Sequence, residues 1–190
     1  MDKALRTSLL IGGALAGIAL ILSLRKKDKT FADKNIIIGD SHAVGISRLL
    51  KNVEKSKCAV GGWMVSNLIS CLNNNEPTRN DVGKVFISIG TNGLYSSSDK
   101  VEELINLIKK KYPYANLYAY GGSYGWSGNL SRSEVEARRN KYYQRFSSNS
   151  VRILNKSLGY FRTDAEAHSI SSLQAKSIAN EINEITGSSA

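Results

Sequence analysis

Asn35-Ile36-Ile37-Ile38-Gly39-Asp40-Ser41 runs a short apolar segment straight into a glycine and two polar residues. Three consecutive isoleucines offer no alternation between a wet and a dry side. That is the pattern of a strand covered on both faces, as in a parallel sheet. Working outward, the same pattern recurs. Lys57-Cys58-Ala59-Val60 ends at Gly61-Gly62, and Lys84-Val85-Phe86-Ile87-Ser88-Ile89 ends at Gly90-Thr91-Asn92. Asn116-Leu117-Tyr118-Ala119-Tyr120 reads as a fourth strand and Val151-Arg152-Ile153-Leu154 as a fifth. Helical spacing fills the intervals: Ile46, Leu49, Leu50 and Val53; Val65, Leu68, Ile69 and Leu72; Val101, Leu104, Ile105 and Ile108; and finally Ile178, Ile182 and Ile185. Strands alternating with amphipathic helices imply a doubly wound α/β fold with about five parallel strands.

In such a sheet ligands bind beyond the carboxyl ends of the strands. Gly39-Asp40-Ser41, Gly61-Gly62 and Gly90-Thr91-Asn92 each follow such an end. Three small polar clusters therefore converge on one edge, an arrangement suited to acyl transfer.

These blocks resemble those of the SGNH hydrolases, the family of GDSL-like lipases and esterases. Gly39-Asp40-Ser41 is similar to the first block, Gly62 to the second, and Gly90-Thr91-Asn92 to the third. His168, ahead of the last amphipathic helix, stands where the family places its histidine. The likeness spans about residues 35 to 185. It implies a flavodoxin-like three-layer α/β/α fold, no cofactor and no metal. It also implies roles. Ser41 is the nucleophile and His168 the base that takes its proton. The backbone N–H groups of Ser41 and Gly62 and the side-chain amide of Asn92 form the oxyanion hole. The other histidine, His42, is expected to point away around the turn.

The pattern departs at the acid. An Asp-x-x-His spacing would put aspartate at position 165, which is Ala165. Asp164 is the candidate to orient His168, one residue further back. A Ser–His dyad held by a backbone carbonyl is the alternative, and a site without turnover is a third.

Tyr120-Gly121-Gly122-Ser123-Tyr124-Gly125-Trp126-Ser127-Gly128 follows the fourth strand and should overhang the same edge. Tyr124 and Trp126 are candidates for a lid or a sugar-stacking wall; capping of the core is the competing reading. Arg138 to Phe146 mixes basic and aromatic residues, and a solvated amphipathic helix with its aromatics inward fits it better than nucleic-acid binding.

The chain has 190 residues and a net charge of +10. Six basic and two acidic residues among the first 29 give +4, which leaves +6 for the remainder. Ser8 to Leu24 carries no charge. As a helix it is about 26 Å long, enough for a span if Thr7 is added and Arg6 and Arg25 snorkel. An uncleaved N-terminal transmembrane anchor through residues 7–24 is expected, against a signal peptide or a core helix. Gly13 and Gly17 make a GxxxG that allows self-association of two anchors. The basic residues after the span outnumber those before it, a small bias placing the domain in the cytoplasm.

The expected organisation is an anchor at 1–27, a linker at 28–34, the hydrolase-like domain at 35–186 and a tail at 187–190. Cys58 and Cys71 read as small buried hydrophobes on neighbouring elements, a bridge being the alternative in an extracytoplasmic domain. The expected function is a membrane-anchored esterase acting on O-acetyl groups of carbohydrate or cell-wall polymer, or on short acyl esters. The alternative is a non-catalytic structural or binding protein in a larger assembly such as a phage virion.

Overall fold

A computed structural model describes residues 32–124, 130–161, 163–169 and 171–188. The proposed anchor, Gly13 and Gly17, and Trp126 lie outside the described residues. Among the described residues no helix is long and apolar enough to cross a membrane.

The strands are β1 (Lys34–Gly39), β2 (Glu54–Ala59), β3 (Val82–Ser88), β4 (Asn116–Ala119), β5 (Ser123–Tyr124), β6 (Arg152–Ile153) and β7 (Gly159–Tyr160). The helices are α1 (Ser41–Ser47), α2 (Val65–Asn75), α3 (Val101–Lys111), α4 (Arg132–Ser148), α5 (Asp164–Ala167) and α6 (Leu173–Ile185). Five strands form one sheet in the order β2-β1-β3-β4-β6, with every pair parallel.

Period-two alternation divides the apolar runs between two cores. Ile36, Ile38, Val85, Ile87, Leu117 and Ala119 face one side, which α2, α3 and α4 cover. Ile37, Phe86 and Tyr118 face the other, covered by α1 and α6. The three isoleucines of β1 are wholly buried, each contributing roughly 1.5–3 kcal/mol. This is the three-layer α/β/α architecture, with β1 and β3 at its centre. The edge strand β2 exposes Glu54, Lys55 and Lys57, charges that discourage pairing with another chain.

Three local features differ from the expectations. The first helix ends at Ser47 and does not run on to Val53. Leu49 N–H bonds to Ile46 O and Leu50 N–H to Ser47 O, i to i−3 bonds that close the last turn. Leu49, Leu50 and Val53 still pack on the core, from a turn and not from a helix face. A second, two-stranded parallel sheet pairs β5 with β7 beyond the carboxyl end of the main sheet.

The cysteines are joined: Cys58 of β2 and Cys71 of α2 form a disulfide with their Cα atoms 5.7 Å apart. This corrects the reading of two independent buried thiols. Both are buried in the same core, and the packing of α2 on β2 brings them within bonding distance.

Candidate active site

The passage from β1 to α1 fixes Ser41. Gly39 has φ +132°, and a Cβ there would lie 1.8 Å from Ser88 O, so β3 passes too close for any side chain. Asp40 then caps α1, its Oδ1 accepting the His42 N–H at 3.0 Å and the Ser88 hydroxyl at 3.3 Å. Asp40 is wholly buried, so it shapes the turn and does not reach toward substrate. Ser41 is the first residue of α1, where backbone N–H groups have no intrahelical partner.

His168 comes from the connection between α5 and α6, 127 residues later, and places Nε2 2.6 Å from Ser41 Oγ. That is hydrogen-bond reach for a base and its nucleophile. Asp164 lies in α5, but its side chain is outside the described residues.

The other two glycine blocks meet at the same place. The β2–α2 turn passes Ser41 so closely that a Cβ on Gly61 would sit 3.8 Å from Ser41 Cβ. Gly62 follows with φ +78°, the left-handed geometry of a tight turn. Asn92 lies in the Thr91–Gly93 turn after β3 and donates from Nδ2 to Trp63 O at 3.0 Å. An amide nitrogen has two hydrogens, so one holds the β2–α2 turn and the second remains for a ligand oxygen. Gly90 (φ +110°), Leu94 (φ 49°) and Tyr95 (φ 55°) are all left-handed in this segment, at a cost of roughly 1–2 kcal/mol for each non-glycine residue. The tight turn swings the Tyr95 ring inward, where its hydroxyl donates to Ser123 O at 2.9 Å.

His42 turns from the Ser41 hydroxyl as expected but stays within the site. It is 3% exposed and its ring stacks on His168, with centroids 5.0 Å apart and planes 12° from parallel. Its Nε2 lies 2.6 Å from Ser123 Oγ. Its Nδ1 lies 3.4 Å from Asp40 Oδ1, an electrostatic contact too long for a good hydrogen bond. Sequence reasoning passed over Ser123, which is wholly buried. The only hint was its place in the loop after a strand aimed at this edge.

Buried tyrosines lie behind these groups, Tyr95 and Tyr143 in one core and Tyr120 in the other. The Tyr143 hydroxyl donates to Ile89 O and accepts from Gly122 N–H, both at 3.2 Å. Burial pushes the phenols of Tyr95, Tyr120 and Tyr143 well above their ordinary range, and the nearby Asp40 carboxyl adds to the rise. All three are uncharged at neutral pH.

Tyr124, a candidate for a lid, is 5% exposed and packs edge-on against Tyr160, with Arg139 over its ring. It caps the core and offers no free face to a sugar. Tyr160, 38% exposed, is the outer member of that pair and carries the Arg132 guanidinium 4.4 Å from its ring centre.

A crevice of about 10 Å³ opens beside Ser41 and His168, lined further by Gly45, Ile46, Leu158 and Ala175. A broad groove of about 880 Å³ lies between β6 and α6, and Ser41, His42, Asn92, Ser123 and His168 are not among its lining residues. Among the described residues no cluster of His, Cys, Asp or Glu is placed to hold a metal.

No protein-family model matches the chain, and no curated protein matches its sequence. Solved structures do match its shape. A GDSL-like lipase from Bacteroides thetaiotaomicron is 10% identical, with a TM-score of 0.58 over 85% of this chain and 89% of that one. An acetyl xylan esterase from Geobacillus stearothermophilus is 12% identical, with a TM-score of 0.56 over 83% and 96%. The catalytic domain of a peptidoglycan O-acetyltransferase from Streptococcus pneumoniae is 14% identical, with a TM-score of 0.52 over 83% and 95%. The parallel sheet ordered β2-β1-β3-β4-β6, with the three glycine turns gathered at its carboxyl edge, is the SGNH hydrolase fold.

Proposed function

We propose that this chain is a serine esterase tethered to a membrane through residues 7–24. Its substrates are O-acetyl groups on carbohydrate or cell-wall polymer, or comparably short acyl esters. The observation that carries the reading is the 2.6 Å approach of His168 Nε2 to Ser41 Oγ. His168 takes the Ser41 proton as Oγ attacks the ester carbonyl carbon. The N–H groups of Ser41 and Gly62 and the second amide hydrogen of Asn92 receive the oxyanion. His168 then protonates the departing alkoxide, and water, deprotonated by the same ring, releases the acid from the acyl-enzyme. Asp164 is assigned the orientation of His168 from the α5 side.

Two observations favour a short acyl group and an oxidising compartment. The crevice beside Ser41 has room for little more than a methyl group or one water. The bridge between Cys58 and Cys71 suits a domain outside the cytoplasm, against the small charge bias that favours the opposite orientation. The acetyl chemistry named for two of the structures of the same fold points the same way.

The test compares the full chain with Ser41→Ala on a chromogenic acetyl ester. The wild type should turn over and form a covalent adduct at Ser41 with a fluorophosphonate. Equal rates for the two proteins remove the reading.

A further inference from the structure

His168 sits on an exposed connection, just after a helix of four residues. A base in such a place needs its ring held in one plane, because Nε2 must meet a hydroxyl in one direction. One face of that ring lies against His42. His42 is itself fixed from two parts of the fold. Its backbone N–H is capped by Asp40 at the end of β1, its Nδ1 faces the same carboxyl, and its Nε2 meets Ser123 of β5. Nε2 and the Ser123 hydroxyl lie 2.6 Å apart, within hydrogen-bond reach in either tautomer of the ring. Ser123 is in turn anchored through its carbonyl by the Tyr95 hydroxyl. A buried Asp–His–Ser array therefore stands behind the exposed Ser–His pair, and its flat middle member forms the wall on which the outer imidazole rests.

We propose that His42 is a positioning residue for the reaction at Ser41. Its ring, held at Nε2 by Ser123 and placed by the turn that Asp40 caps, sets the plane of His168. The inference rests on the esterase reading for its kinetic consequence but not for its geometry. Parallel, offset rings at this separation attract one another. The larger effect is orientation, since a misplacement of about 1 Å in a reacting group costs on the order of 100-fold in rate.

The test uses two variants of the full chain. His42→Leu removes the flat ring while filling the buried space, and His42→Phe keeps a ring without the polar contacts. The first readout is the NMR signal of the His168 ring protons, assigned with His168→Ala. Stacking on His42 should shift them upfield in the wild type, the shift should vanish in His42→Leu, and it should persist in His42→Phe. The second readout is acetyl-ester kinetics. His42→Leu should lower kcat about 10- to 100-fold with KM within about twofold, and His42→Phe should restore kcat to within about threefold of wild type. A role in packing alone would leave the two variants alike. Equal kcat in the two variants, or His168 resonances that do not move in His42→Leu, overturns the proposal. If the wild type turns over no faster than Ser41→Ala, the esterase reading falls, and the resonances alone then decide whether His42 holds His168.

Discussion

The bridge between Cys58 and Cys71 allows a magnitude to be worked from the structure. It closes a loop of sequence separation 13 that contains the Gly61-Gly62 turn. Constraining a loop of that size in the unfolded chain is worth about 3 kcal/mol at 25 °C in the chain-entropy treatment. The perturbation is Cys58→Ala with Cys71→Ala. Both sites are buried, so the sulfur atoms leave a small packing loss that adds to the entropic one. The assay is urea unfolding of three samples: oxidised wild type, wild type held under reductant, and the double variant. The reduced protein and the variant should each be less stable by about 3 kcal/mol, or roughly 6–12 °C in midpoint temperature for a domain of this size. The slope m should not fall, because an unbridged unfolded chain exposes at least as much surface. A variant within about 1 kcal/mol of the oxidised wild type would refute the loop-closure argument. A loss in the variant with none on reduction would assign the effect to packing.

Two further outcomes are expected. Asn92→Ala and Asn92→Asp should each lower kcat by on the order of 100-fold or more with little change in KM, since both remove a donor to the oxyanion. Steady-state kinetics check this, and a loss confined to KM would contradict the assignment. Asp81 is held at a pKa of about 2, first by its hydrogen bond from Arg79 and then by that from Lys34. A carboxyl with a depressed folded pKa stabilises fully above its unfolded value of about 4 and loses that contribution as the pH falls toward 2. Its partial exposure limits the contribution to roughly 1 kcal/mol or less. Asp81→Asn should flatten stability over that window in acid unfolding, and an unchanged slope between pH 4 and 2 would count against the pairing.

The sheet was legible because its signal is local. Ile36-Ile37-Ile38 and Val85-Phe86-Ile87 are apolar without alternation, and a glycine marks where each strand must turn. The gathering of the three turns at one edge follows from parallel connectivity alone. What was not legible depends on distances between elements. His42 follows Ser41 directly, and neighbours on a helix diverge by about a third of a turn. That rule correctly separates their side chains, yet it carries no information that His168 would arrive between them. The cysteine pairing likewise needed the packing of α2 on β2 and not the spacing of 13 residues. Between the two readings of Tyr124, lid or core cap, the glycine-rich surround could not decide, because the pairing of β7 with β5 that accompanies its burial is a long-range contact.

The path of β1 through the domain has a consequence for reach. The chain enters β1 at Lys34, on the amino edge of the sheet, and delivers Ser41 at the opposite edge, about 20 Å away. A tether attached ahead of Lys34, as proposed above, would hold the domain from the edge opposite the nucleophile. Such an enzyme would face away from the lipid that holds it. Its targets would then be polymers or solutes arriving from the aqueous side, at a height set by the domain's own thickness plus the few residues of linker, and not acyl chains drawn up from the bilayer beneath.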